Sequence, residues 1–184
     1  MTLIEQQPLL RAKFFEALER GSHAFFSSCD WALVVGDLRE STGTDVQREY
    51  FATQWVTHGR SIRDQIRDDH FLVCTLRRWL PAYEGSGLIL YRGESAERAT
   101  SKQYGLCWTT DIEVATTFAS GLNAVRPAGG LLLKAYASRD AVITAPGRHS
   151  KYLGESEYTV DPANLTDIEV LAQFPPSDRR PAET

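Results

Sequence analysis

The chain is short of cysteine. Its 184 residues hold three, Cys29, Cys74 and Cys107, an odd and widely spread set. That argues against a disulfide scaffold and fits a reducing compartment. No two of them form a C-x-x-C pair, so a zinc ribbon is not expected either, and no metal site is read from the sequence. Long apolar runs are also missing. None approaches the roughly 20 residues of a membrane span, and Gly130–Leu133 is typical of the short runs present. Met1–Pro8 shows no basic segment followed by an apolar one, so no secretory leader and a cytoplasmic location are the expectation, with delivery into a target cell left open. There is no excess of positive charge: Lys and Arg number 20 against 24 Asp and Glu, for a net charge of -4 and a pI of about 5.6. A strong field for gathering nucleic acid is therefore lacking, although a local basic patch is compatible with these totals.

Common nucleotide and hydrolase motifs are absent as well. There is no G-x-x-x-x-G-K-[ST], no H-E-x-x-H and no G-x-S-x-G. A G-x-G-x-x-G beginning at Gly85 and Gly87 would need glycine where Leu90 stands. What remains is ordinary globular material, 42% hydrophobic and 24% charged, long enough for one domain or a small domain with a helical appendage.

The character of the chain changes near Gly85. Before it the periodicity is helical. Pro8 starts a segment with Leu10, Phe14 and Leu18 at four-residue spacing, stopped by Gly21. Trp31–Leu38 is ambiguous between strand and buried helix. Thr44 or Asp45 caps a helix with Phe51 and Trp55 on one side, and Ser61 caps another carrying Ile62, Ile66, Val73, Leu76 and Leu80, ended by Pro81. After Gly85 come strands and one clear helix. Leu88–Tyr91, Leu131–Tyr136, Ala141–Thr144, Tyr158–Val160 and Ile168–Phe174 read as strands, and Thr110 and Asp111 open a helix through Ala115 and Phe118. The organisation predicted is α+β: a helical N-terminal region at 1–86, a strand-rich core at 87–174 and an extended or disordered tail at 175–184. Strand and helix do not alternate, which argues against a Rossmann sheet.

Three elements of the second half carry chemistry. In Tyr91-Arg92-Gly93 a strand ends on an arginine, whose planar fork suits phosphate, with a glycine where the backbone turns or approaches a ligand. In Gly105–Asp111 small polar residues and Trp108 precede a capped helix. In Glu155-Ser156-Glu157 two carboxylates sit two residues apart, on one side of an extended chain, so at least one should resist ionisation. The pair follows a loop from Pro146 to Gly154 that holds Arg148, His149, Ser150, Lys151 and Tyr152. Of the remaining histidines, His23, His58 and His70 read as surface or satisfied imidazoles.

In this order the three elements resemble the ADP-ribosyltransferase superfamily of the R-S-E type, over residues 87–174, about half the chain. Arg92 matches that family's strand-end arginine, Cys107-Trp108-Thr109 its Ser-Thr-Ser-like motif as placed by Ala115 and Phe118-Ala119, and Glu155-Ser156-Glu157 its Glu-x-Glu. The family usually has serine where Cys107 stands, and a thiol is a weaker hydrogen-bonding group.

The resemblance implies a split β-sandwich and transfer of ADP-ribose from NAD, a co-substrate, to a macromolecular acceptor. It makes Glu157 the catalytic residue, steadying a ribose cation, and has Glu155 orient or deprotonate the acceptor. Tyr91, Arg92, Gly93, Cys107, Trp108, Thr109 and Phe118 would bind NAD, with Trp108 or Tyr91 walling the nicotinamide. His149 and Tyr152 would read the acceptor, protein arginine first and a nucleic-acid base second. Small members of this kind are often toxins of toxin–antitoxin or phage-defence systems or injected effectors, so an antitoxin or other inhibitory protein is an implied partner, and a membrane is not. The alternatives are an NAD glycohydrolase and a non-catalytic binding module on the same fold.

Overall fold

A computed structural model describes residues 3–20, 26 and 30–177. The expected helix stop at Gly21, His23 and the tail beyond 177 lie outside the described residues. The chain divides into two compact units, Met1–Ala82 and Tyr83–Thr184. It is α+β, with seven helices among the described residues and six strands in one antiparallel sheet.

The first unit is helical: α1 (Leu3–Arg20), α2 (Trp31–Glu40), α3 (Asp45–Ile66) and α4 (Asp69–Trp79). The ambiguous stretch resolves as a helix because Trp31, Val34, Val35 and Leu38 recur at helical spacing and all four are buried. Thr44 is the α3 cap. Its Oγ1 accepts from the Gln47 amide at 3.3 Å while Gln47 Oε1 accepts from the Thr44 amide at 2.9 Å, a capping box. Ser61 does not start a helix. It lies inside α3, which runs on to Ile66 and stops at Arg67, whose φ of 55° is left-handed. The next helix is capped by Asp68, accepting from the Phe71 amide at 2.9 Å. A cap that strong and a left-handed residue before it break what periodicity alone joins. Phe14, Phe26, Trp31, Phe51 and Trp79 are fully buried and meet ring to ring at 5.4–6.5 Å, and the Trp79 indole donates to the Leu38 carbonyl at 2.6 Å.

The second unit contains β1 (Leu88–Ser95), α5 (Ala96–Thr100), β2 (Cys107–Thr109), α6 (Ile112–Ser120), β3 (Gly130–Ala137), β4 (Val142–Thr144), α7 (Arg148–Tyr152), β5 (Glu157–Val160) and β6 (Leu165–Phe174). The sheet order is β4-β5-β2-β1-β3-β6. The last strand starts three residues before the expected Ile168, after a single 3-10 turn at Pro162–Asn164. The loop expected between Pro146 and Gly154 contains α7.

One sheet face carries the core, with Leu90, Trp108, Leu133, Ala135, Ala137, Val142 and Val160 buried together. The other is covered by α6, whose Ala115 and Ala119 pack on Leu132, with Tyr91 and Phe174 beside them. Here lies the reason for Gly93. A Cβ there would sit 2.3 Å from the Ala119 nitrogen and 2.6 Å from the Ala115 oxygen. The sequence reading ends the strand at Arg92 and puts a turn or a ligand at Gly93; the strand instead runs on to Ser95, and what comes close to Gly93 is the backbone of α6. Gly93→Ala is expected to destabilise by about 1–3 kcal/mol through displacement of α6, measured by chemical denaturation. An unchanged midpoint would show that α6 shifts freely. No described helix is long and apolar enough to cross a membrane.

Candidate functional site

Strand register decides which side chains share a surface. Tyr91 pairs with Thr109, and Thr109 with Glu157. Directly opposed residues of antiparallel strands point the same way, so these three form a row across β1, β2 and β5. Cys107 pairs with Thr159 on the same face, one step along. Trp108 and Tyr158 pair on the other face, within the core.

Arg92 and Leu133 are partners, so its Cα belongs to the core face, with Leu90. Its guanidinium nevertheless reaches the row. The recorded β1–β2 pairing is Tyr91 with Thr109. Continuing that register would set Gly93 against Cys107, but Arg92 Nη1 donates to the Cys107 carbonyl instead. The guanidinium thus occupies the seam between the two strands. Gly105 makes the room: a Cβ there would stand 2.0 Å from Arg92 Nη2.

The anchor for this arginine is Glu94, which the sequence reading did not single out. Its side chain is 1% exposed and accepts from Arg92 Nε at 2.9 Å, pairs with Arg98 Nε at 3.4 Å, and accepts from the amides of Ser95 at 3.0 Å and Gly105 at 2.9 Å. Burial works to raise its pKa, but the Arg92 guanidinium, their hydrogen bond and Arg98 outweigh this and hold the carboxyl below its usual range. The available signal was spacing: residues 92 and 94 on one strand share a face.

Glu157 behaves in the opposite way. Burial, with Glu155 adding to it, pushes its carboxyl up to about 7, against the pull of Arg92 and of a hydrogen bond from the Cys107 thiol. The same burial, together with Glu157, raises the thiol well above its usual value. Cys107 is therefore a protonated donor to Glu157 and a poor nucleophile. The Glu155 carboxyl is also raised by burial, with His149 acting against the rise.

The carboxylate pair does not lie on an extended chain. Ser156 between them has φ 46° and Gly154 before them φ 75°, so the backbone coils into β5. Ser150, fully buried on α7, holds the coil. Its carbonyl accepts from the Glu155 amide at 3.1 Å and the Ser156 amide at 3.4 Å, and its Oγ accepts from the Glu157 amide at 2.7 Å. The sequence showed Ser150 only as one polar residue of the loop, because its role exists only once this loop has coiled.

The structure thus brings Arg92, Cys107, Thr109, Glu155 and Glu157 together, with Tyr91 at the end of the row and His149 beside Glu155. Thr109 is buried, its Oγ1 accepting from the Asp111 amide at 3.1 Å. Trp108 stands apart. It is 1% exposed in the core, with its indole donating to the Gly105 carbonyl at 2.8 Å, so of the two aromatic residues named as a wall only Tyr91 shares the Glu157 face. Phe118 is half-buried on α6, its main chain against Gly93. Tyr152 projects outward, 85% exposed. Among the described residues no group of three or more His, Cys, Asp or Glu is arranged to hold a metal ion. Comparison with family models, with curated proteins and with solved structures returns no match.

Proposed function

We propose that the Tyr91–Thr109–Glu157 face binds NAD and that the protein is a mono-ADP-ribosyltransferase acting on a macromolecular acceptor. The observation that supports this most is the placement of Glu157: a carboxylate of raised pKa, hydrogen-bonded by Cys107 and opposite Thr109, with a guanidinium wedged into the neighbouring seam. Breaking the nicotinamide–ribose bond leaves positive charge on the sugar, and an aimed carboxylate in a poorly solvated site stabilises that charge far more than water-exposed charge does. A carboxylate already penalised for being ionised gains most when a cation forms against it.

On this reading Glu157 steadies the ribose cation, Cys107 and Thr109 orient it, and Tyr91 walls the nicotinamide. Arg92, its side chain 21% exposed, offers the remaining guanidinium edge to the diphosphate. Its ties to Glu94 and the Cys107 carbonyl pre-orient that edge. The split-sandwich form of the ADP-ribosyltransferases is part of the same proposal. In its support, the β1–β2 seam is the place where the sheet is pinned by a side chain.

The purified chain is expected to show an NAD-dependent rise in melting temperature and to release nicotinamide from NAD. A chain that neither shifts with millimolar NAD nor releases nicotinamide would overturn the proposal.

A further inference from the structure

We propose that the open edge of β6 pairs antiparallel with the same strand of a second copy of this chain, joining two sheets into one. This goes beyond the transfer reading above and does not depend on it.

The two edges of the sheet are finished differently. At one end β4 is three residues long, and the Tyr83 amide donates to the Ile143 carbonyl at 3.1 Å, so that edge is short and already occupied in part. At the other end β6 runs for ten residues. Among the described residues β3 is its one strand partner, and no backbone hydrogen bond joins it to anything else. An edge of that length presents a row of N–H and C=O groups that only water or another strand can satisfy.

The side chains do little to keep another strand away. Leu165–Phe174 holds no lysine, arginine or proline, which are common guards of an edge. The guards present are two register shifts and the left-handed Asp167, φ 52°, and all of these lie at or before Leu171. Beyond them Ala172–Phe174 pairs with β3 in unbroken register. Beside this regular stretch Val170 is 59% and Leu171 43% exposed, apolar side chains at a bare edge.

Charge and the path of the chain identify the occupant. The strand's charged residues, Asp167 and Glu169, both lie on the N-terminal side of the stretch from Val170 to Phe174. Antiparallel pairing of two such stretches carries the carboxylates of the two copies to opposite ends. It leaves one Glu169 roughly 20 Å from the other, farther than exposed charges act in physiological salt. Each copy then sets its Val170 and Leu171 beside the regular end of the other, and the exposed apolar surface of both is withdrawn from water. The chain's own end is poor material for the missing strand. The Ser177 amide is tied to the Ala124 carbonyl at 2.8 Å, in the segment that leads from α6 into β3. Residues 178–184 hold a proline and no large apolar side chain. Because each chain has one open edge, the pairing is isologous and closes at two.

Sedimentation of the full chain between about 1 and 100 µM tests this. The mass is expected to rise reversibly from 20.6 kDa to twice that value, with no larger species. Backbone amides of the Val170–Phe174 stretch should exchange hydrogen several-fold more slowly at the high concentration. The double variant Val170→Lys, Leu171→Lys alters only exposed side chains. It should remain a single chain at every concentration, with the wild-type melting temperature at the lowest. Val46→Lys, at a 62% exposed position on α3, should dimerise as the wild type does. A single chain throughout, or assemblies larger than two, overturns the proposal. A dimer that survives the double variant places the interface elsewhere and overturns it too. None of these measurements contains NAD, so their outcome leaves the transfer reading to its own test.

Discussion

Glu157→Gln is expected to lower ADP-ribosyl transfer by roughly 100-fold or more and, at pH 8, to raise the melting temperature. Both follow from one fact, that the carboxylate is held where ionisation is unfavourable. Its carboxyl titrates near 4.5 when exposed and at about 7 in the folded protein. Between those values the folded state keeps a proton the unfolded state has lost, so this group's contribution to stability falls as pH rises through 7 and stays lost above it. The full cost is up to about 3 kcal/mol. Glutamine, neutral throughout, avoids the cost and keeps an oxygen for the Cys107 thiol. The gain in melting temperature should be several degrees at pH 8, shrink between pH 7 and 4.5, and vanish at about pH 4, below both values, in paired thermal melts. A difference independent of pH would show that the charge is well solvated, and wild-type transfer would remove Glu157 from the chemistry. Because the ionised form is the one that steadies a cation, kcat/KM for nicotinamide release should climb as pH rises through about 7.

The second large effect is expected at Glu94. Removing its side chain in Glu94→Ala leaves the Arg92 guanidinium in the β1–β2 seam without its carboxylate, and leaves the Ser95 and Gly105 amides without an acceptor. Breaking a buried, hydrogen-bonded ion pair from one side costs about 3–5 kcal/mol, and the melting temperature should fall by about 10 °C. Arg98→Ala is the matching control. Its side chain is 33% exposed and its contact with Glu94 longer, at 3.4 Å, so it should cost under about 1 kcal/mol. A Glu94→Ala melt within about 2 °C of wild type would show that the seam is held by other contacts. NAD affinity should fall as well, since a guanidinium no longer fixed at the seam is not pre-oriented for a diphosphate.

Much of the architecture is written in local pattern. Leu88–Tyr91 and Leu131–Tyr136 are short, largely apolar runs each preceded by a glycine, and both lie within strands. Asp111 caps α6 through the amides of Glu113 and Val114, as its position before an amphipathic stretch requires. Such features depend on neighbours a few residues away, and sequence displays them directly. The helix boundary at Ser61 misled because capping competes. A serine interior to a helix lets the turn continue, and the stronger stop lay at Arg67 and Asp68.

Sequence by itself determined the α+β class, the change from helix to strand near residue 85, and the residue types on which the proposed chemistry draws: Arg92, Cys107, Glu155 and Glu157. Tertiary structure alone decided their arrangement. The pairing of β2 with β5 puts Thr109 beside Glu157 and sends Trp108 to the core. The seam at β1 turns Glu94 from an ordinary strand carboxylate into the keeper of Arg92, and the coil at Gly154 and Ser156 makes Ser150 the support of Glu157. The physical reason is that faces, burial and charge coupling arise between strands distant in sequence, where a shift of one residue in register exchanges every side chain from one side of the sheet to the other.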